Sequence, residues 1–371
     1  MPRKTDTSQL RLWKDYLNRD LLTKLADEFH RTYSDFDRRG FVDAVATDEF
    51  FAMELKQRIS SAARALGSFL PGDYAKTVDI LVALAPKVGG WGNWILTSYV
   101  DLYGVDDFDN SMRALENLTP HGTGEFAIRV FMNKYTKRML PVLNRWAKHP
   151  NEHVRRLAAE GSRPRGVWVA HIDAFKEDPS PVLKLLKRLK ADRSLYVRKA
   201  VANNLNDISK DHPDLVIETA LRWQRDGNKH TDWIIKHACR SLIKAGHPEV
   251  FPLFGFTSNP KIAVTGFEPD KKRYKISQAM TVPFEIKSKA RTKQKLAVDY
   301  RLTYRTKTGG NSPKVFKLCE KEIAPGGVLP LKLRHKFEDN STRKHYTGDH
   351  SVELIVNGRV SEKINFALGA R

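Results

Sequence analysis

Cysteine is almost missing from the 371 residues: Cys239 and Cys319 stand alone, 80 positions apart and in no CxxC pair. That spacing leaves no disulfide framework and no zinc cluster, so both thiols are expected to be reduced and buried. No apolar run approaches the roughly 18 residues of a membrane helix, and residues 1–20 alternate charged and apolar types without the apolar core of a signal peptide. A cytoplasmic protein with no membrane attachment is expected. Missing too are a Walker loop, GxGxxG, HExxH and a nucleophile elbow, the usual hardware of nucleotide hydrolysis, hydride transfer and zinc hydrolysis. His149, His153 and His171 make no ligand set, and neither a metal nor a cofactor is expected.

Acidic residues are the other shortage. Lys and Arg number 64 against 43 Asp and Glu, a formal +21 at pH 7, which points to a polyanionic partner. The surplus is uneven: residues 261–371 hold 24 basic against 11 acidic side chains, a net +13, leaving +8 for residues 1–260.

Two hydrophobic periods divide the chain. From Leu10 to about Phe256 apolar residues recur at three and four, as in Leu183, Leu186 and Leu189, the pattern of amphipathic helices. Pro120, Pro150, Pro179 and Pro213 fall where helices should start or stop, and proline is expected between helices rather than inside them. Val154-Arg155-Arg156-Leu157-Ala158-Ala159 overlays Val197-Arg198-Lys199-Ala200-Val201-Ala202 at a spacing of 43, and Ile234-Ile235-Lys236-His237-Ala238-Cys239 follows 37 later. That period fits HEAT or armadillo units, so residues 1–258 are expected to form an all-α solenoid whose inner helices line a concave face. After Pro260 the period becomes two: Leu296–Arg305 alternates, and Val352–Val356 ends at an Asn357-Gly358 turn. Residues 259–371 are expected to form an all-β sandwich of immunoglobulin type. Its basic runs at 271–275, 287–295 and 343–345 have the look of phosphate-gripping loops, with Lys272, Arg273, Lys289 and Arg291 as contacts.

The stretch richest in chemistry is Arg155-Arg156-Leu157-Ala158-Ala159-Glu160-Gly161-Ser162-Arg163-Pro164-Arg165-Gly166-Val167-Trp168. Glu160 ends a basic helix, Gly161 is placed to supply a left-handed cap, and Pro164 forces an extended turn carrying Arg163 and Arg165 toward Trp168. A carboxylate is thereby surrounded by cations and an indole. Together with Gly124-Glu125-Phe126-Ala127-Ile128-Arg129 and Ala202-Asn203-Asn204-Leu205-Asn206-Asp207, this stretch resembles the HEAT-like-repeat DNA alkylation-repair glycosylases, in particular the AlkC type of 3-methyladenine DNA glycosylase. The likeness runs through Leu70-Pro71-Gly72-Asp73-Tyr74 and Trp91-Gly92-Asn93-Trp94, and branch members with a C-terminal immunoglobulin-like domain match the second half. Gly166-Val167 departs from the family pattern.

The resemblance implies excision of 3-methyladenine, with 3-methylcytosine as a further substrate, from alkylated double-stranded DNA. Glu160, Asp207 and Glu125 become the candidate catalytic carboxylates and Trp168 the base-binding ring, while Trp91 and Trp94 read as core. Arg156, Arg163, Arg165, Arg198, Lys199 and Asn204 become DNA contacts. The chemistry agrees: a base alkylated at a ring nitrogen is cationic and departs neutral without a general acid, so an anion that steadies the oxocarbenium-like sugar suffices. An indole face adds about 0.5 to 2 kcal/mol of attraction for a cationic base. No lysine next to the motif stands out as a Schiff-base nucleophile, so a monofunctional enzyme without an obligate protein partner is expected. A non-catalytic HEAT-repeat scaffold and a nucleic-acid binder that does not hydrolyse remain the alternatives.

Overall fold

The computed structural model describes residues 12–339 and 344–370; the start of the segment read for an export signal and Arg343 of the third basic run lie outside them. The packing divides the chain into two compact units, one of residues up to Asp211 plus Asn228–Ala238, the other of His212–Gly227 and Cys239 onward.

The described residues up to 245 are helical in character. The chain forms α1 (Arg19–Thr32), α2 (Arg38–Val45), α3 (Asp48–Ala52), α4 (Leu55–Leu66), α5 (Tyr74–Tyr103), α6 (Phe108–Leu118), α7 (Ile128–Lys134), α8 (Thr136–Trp146), α9 (Glu152–Gly161) and α10 (Asp173–Glu177). It continues with α11 (Ser180–Leu189), α12 (Leu195–Ile208), α13 (Pro213–Gln224), α14 (Lys229–Ala238) and α15 (Arg240–Ala245). Short polar residues start many of these helices: Asn18, Asp37, Thr47, Asp73, Asp107, Asn151 and Ser194 each accept a first-turn N–H. Proline departs from expectation twice. Pro120, Pro150, Pro179 and Pro213 sit at helix borders, but Pro86 lies inside α5 and Pro141 inside α8. Pro86 precedes a break at Gly89 (φ 57°) and Gly90 (φ 28°), where the chain turns within α5.

The sequence repeat becomes a stack. In the first unit α9 packs on α12 and α12 on α14, with α8 and α11 behind them. Val154, Val197 and Ile234 are equivalent buried positions, as are Ala158, Val201 and Ala238. The basic pair that follows the first apolar residue splits by function. Arg155 Nη1 donates to His149 O and Pro150 O at 2.9 and 2.7 Å, and Arg198 Nη1 donates to Asp192 O and Arg193 O at 2.7 and 3.0 Å. Both arginines reach back five and six residues to tie the loop before their own helix, which satisfies carbonyls that no helix bond covers.

In the second unit β1 (Ile262–Thr265), β3 (Ala279–Ser288) and β6 (Val328–Lys336) form one sheet in the order β1-β3-β6. The other sheet, β2-β8-β7-β4-β5, holds β2 (Arg273–Lys275), β4 (Gln294–Arg305), β5 (Asn311–Ile323), β7 (Gly348–Val356) and β8 (Arg359–Gly369). Alternating residues of facing strands fill the core between the sheets, among them Met280, Val282, Phe284 and Ile286 against Leu296, Val298, Tyr300 and Leu302. β7 and β8 join through Asn357 (φ 45°) and Gly358 (φ 79°), the left-handed pair a two-residue hairpin requires. Of the two thiols, Cys239 is buried and Cys319 only half-buried: it lies opposite Val298 on the core side of β5, the edge strand of its sheet.

Gly358 is doubly constrained. A Cβ there would meet Gly246 O at 2.4 Å and Phe251 Cε2 at 2.6 Å, besides the positive φ. Gly358→Ala is therefore expected to destabilise this unit by about 2 to 4 kcal/mol, read as a lower denaturation midpoint. His350 gives the same unit a pH dependence. It is buried, its Nε2 lies 3.0 Å from Tyr346 O, and burial holds its imidazole below the usual range. The folded state thus binds fewer protons than the unfolded chain, so this contribution is complete above about pH 6.5 and is lost as pH falls below it. Denaturant midpoints should drop between pH 7.5 and 5.5, with a shallower slope in His350→Gln.

Candidate active site

Helix α9 ends at Gly161, and the chain then runs as an irregular loop to α10. Gly161 is not a left-handed cap. It is the last helical residue, and the cap residue Ser162 has φ −88°. Glycine is needed there because a Cβ would lie 2.9 Å from Ile128 Cγ2, so α7 could not approach α9. The left-handed residue is instead Trp168, at φ 62° and 59% exposed.

Buried Arg129 of α7 fixes this loop. Its Nη1 donates to Gly161 O and Arg163 O at 2.9 and 2.7 Å, and its Nε and Nη2 donate to Ala170 O at 3.0 and 2.6 Å. Burial pulls the guanidinium down to about 10, so it stays charged at neutral pH. Lys56 Nζ adds a bond of 2.6 Å to Trp168 O. A bulky residue at positive φ is strained, and it persists here because the loop on both sides is held.

The three candidate carboxylates come together in one alternating chain of charge. Glu125, in the turn before α7, pairs with Arg156 of α9. Arg156 Nη2 lies 3.7 Å from Glu160 Oε2, and Arg163 Nη1 lies 2.5 Å from Glu160 Oε1. Arg163 Nε reaches Asp207 Oδ2 at 2.6 Å, and Lys210 Nζ reaches Asp207 Oδ1 at 2.9 Å. Accessibility falls along the chain, with Glu125 at 24%, Glu160 at 13% and Asp207 at 3% of side-chain surface. Asp207 belongs to the last turn of α12, and both its oxygens are engaged. Glu160 holds one oxygen tightly and the other loosely, which leaves Oε2 able to turn toward a sugar or a water.

Five of the expected DNA contacts are engaged by groups of the protein itself. Buried Arg163 points inward, its guanidinium spent on Glu160 and Asp207. Arg198 is buried as the loop clamp described above, and Asn204 is fully buried, donating to Ala159 O and Ser162 Oγ at 2.7 and 3.0 Å to tie α12 to α9. Arg165 forms a two-bond pair with Asp211 at 2.6 and 2.8 Å. Arg156 sits among the carboxylates and 5.1 Å over the exposed ring of Tyr196. Lys199, Lys272, Arg273, Lys289 and Arg291 are exposed, Lys272 and Arg273 at β2 and Lys289 and Arg291 in the β3–β4 loop.

The sequence reading missed Arg129, Lys56, Lys210 and Tyr196. Lys210 follows Asp207 by one helical step, a spacing visible in the chain; the Lys56 contact spans 112 residues and leaves no local signal. Trp91 and Trp94 are half-buried rather than core. They stack at 5.7 Å, and Trp94 stacks on Phe126 at 4.6 Å. Trp94, Phe126, Lys56, Asp101 and the Trp168 loop line a cleft of about 720 Å³. Burial pushes the Asp101 carboxyl up to about 6. Among the described residues no helix is long and apolar enough to cross a membrane.

Residues 118–242 match the family model described as a DNA alkylation repair enzyme, and residues 263–370 match that of the C-terminal Ig-like domain of the uncharacterised protein YhaZ. The chain is 38% identical to the uncharacterized protein YhaZ of Bacillus subtilis (strain 168) over 353 residues, 95% of this chain and 98% of the relative. It is also similar to the structure of Pseudomonas fluorescens alkylpurine DNA glycosylase AlkC bound to DNA containing an abasic site analog. There the TM-score is 0.85 at 38% identity, covering 96% of this chain and 99% of the other.

Proposed function

Because the chain belongs to the DNA alkylation repair enzyme family, with a YhaZ-type Ig-like domain at its C-terminal end, we propose that it is a DNA glycosylase. Its substrates are cationic alkylated bases in double-stranded DNA, 3-methyladenine and also 3-methylcytosine. The observation that carries this reading is the chain Glu125–Arg156–Glu160–Arg163–Asp207, which holds carboxylates side by side in fixed positions. A base alkylated on a ring nitrogen leaves as a neutral molecule, so the site needs no acid for the leaving group. What develops is positive charge on the sugar, and Glu160 is placed to stabilise it and to orient the attacking water. Glu125 and Asp207 hold the two arginines that position Glu160. Trp168 offers its exposed indole to the cationic base, and the exposed Lys199, Lys272, Arg273, Lys289 and Arg291 take phosphates.

The chemistry is hydrolytic and monofunctional, since Lys210, the amine in the cluster, is bonded to Asp207. Incubating the chain with methylated duplex DNA should release 3-methyladenine and 3-methylcytosine, with hypoxanthine and uracil released far more slowly and no covalent complex trapped by borohydride. Tight binding to that DNA with no base released would instead support the non-catalytic binder, and equal rates for neutral lesions would remove the cationic-base argument.

A further inference from the structure

Tyr196 takes no part in the chemistry above, yet it stands where the charge chain meets solvent. In the repeat it occupies the position of His153 in α9 and Trp233 in α14, one residue before the first buried apolar residue of each helix, Val154, Val197 and Ile234. Aromatic rings thus recur at one helical phase, and Tyr196 meets His153 edge to face at 5.5 Å. In α14 the ring stays within its own helix: Trp233 stacks on His237 at 5.1 Å, and Lys199, the counterpart of Arg156, is exposed. Tyr196 instead lies under a cation of the neighbouring repeat, with Arg156 Cζ 5.1 Å from its ring centre.

That contact bears on what Arg156 has to do. Its guanidinium pairs closely with Glu125, stands 3.7 Å from Glu160 Oε2 and reaches Thr123 Oγ1 at a long 3.4 Å. With one close partner and two loose ones, the group is able to pivot about Glu125 and leave Glu160. A guanidinium donates through its edge and stacks through its flat face, so a ring on the face limits the pivot without competing for the carboxylates. The side chain of Arg156 is only 15% exposed, while Tyr196 beside it is 40% exposed. Burial of its inner side raises the phenol above its ordinary range, Arg156 opposes the rise, and Glu125 and Glu160 add to it, so both carboxylates lie within electrostatic reach of the ring.

We infer that Tyr196 is a positioning residue, its ring holding the Arg156 guanidinium between Glu125 and Glu160 and so keeping Glu160 in place. The hold on Arg156 is independent of the reaction; its effect on rate rests on the glycosylase reading.

Two readouts on the intact protein test this: single-turnover release of 3-methyladenine, and the nuclear magnetic resonance signal of the Arg156 Nε–H, identified by its loss in Arg156→Gln. Tyr196→Phe keeps the ring and should release base at the rate of the unaltered protein, with the Arg156 signal in place. Tyr196→Leu should slow release about 2- to 30-fold, the range of a cation–π contact, with affinity for DNA carrying an abasic analogue unchanged. Its Arg156 signal should move and exchange faster with water, because the ring current and the cover are both lost. An unmoved Arg156 signal in Tyr196→Leu, an equal loss of rate in Tyr196→Phe, or a fall in DNA affinity that matches the fall in rate would overturn the inference. Release at full rate by Tyr196→Leu would remove this inference alone. No release by the unaltered protein, with the Arg156 signal moving as expected between the variants, would remove the glycosylase reading alone.

Discussion

Glu160→Gln is expected to slow base release about 10- to 1000-fold, the effect of losing an electrostatic stabiliser of about 1.4 to 4 kcal/mol, while binding to DNA with an abasic analogue changes little. Glutamine keeps the shape of the side chain and can still accept from Arg163, so the site stays assembled. It loses the negative charge that faces the sugar. Glu125→Gln and Asp207→Asn act through the arginines: Arg156 would lose its close partner, and Arg163 would turn wholly to Glu160 and tie up its carboxylate further. Those variants should show smaller losses in single-turnover rate than Glu160→Gln. The assignment fails if either of them abolishes release and Glu160→Gln retains it.

Much of this arrangement could be read along the chain because local periodicity encodes it. The repeat at Val154 and Val197 gave the inner helices, and alternation gave β4 and β7, since each pattern reports which face is buried. The carboxylates were legible for a similar reason, each lying on or beside a segment of unusual polarity. The role of each cation was not. Arg155 and Arg156 are neighbours in one motif, yet one clamps a loop and the other bridges two acids. The deciding factor is helical phase, because adjacent residues point about 100° apart on a helix of 3.6 residues per turn. Arg198 repeats the phase of Arg155 and its loop clamp, and Lys199 repeats the phase of Arg156, so the repeat itself separates the clamping position from its neighbour. Trp91 and Trp94 escaped for another cause: the break at Gly89 and Gly90 resets the phase within α5, and no single period covers both halves.

Arg163 offers the sharpest separation between a phosphate contact and an interior strut. Removing its side chain by Arg163→Ala would leave Asp207, 3% exposed, with Lys210 alone, and Glu160 with Arg156 at 3.7 Å. Taking one partner from a buried ion pair costs about 3–5 kcal/mol, because the remaining charge is left desolvated and uncompensated. For the helical unit that holds Arg163 that corresponds to a fall in melting temperature of about 6 to 20 °C, and base release should be lost along with the geometry of Glu160. Arg163→Lys should fall between, since one ammonium cannot reproduce a planar fork that reaches two acids. Pairing Arg163→Met with Asp207→Leu should recover part of the stability without recovering release, because Asp207, the most buried charge, is removed together with its partner while Glu160 keeps only Arg156. DNA affinity supplies the contrast, measured well below the melting temperature. Each phosphate contact removed lowers the salt slope by about 0.9, so exposed Lys199→Ala should lower it while Arg163→Ala leaves it unchanged. A lowered slope together with an unchanged melting temperature in Arg163→Ala would mean that this arginine faces the phosphates and that the charge chain is held by other groups.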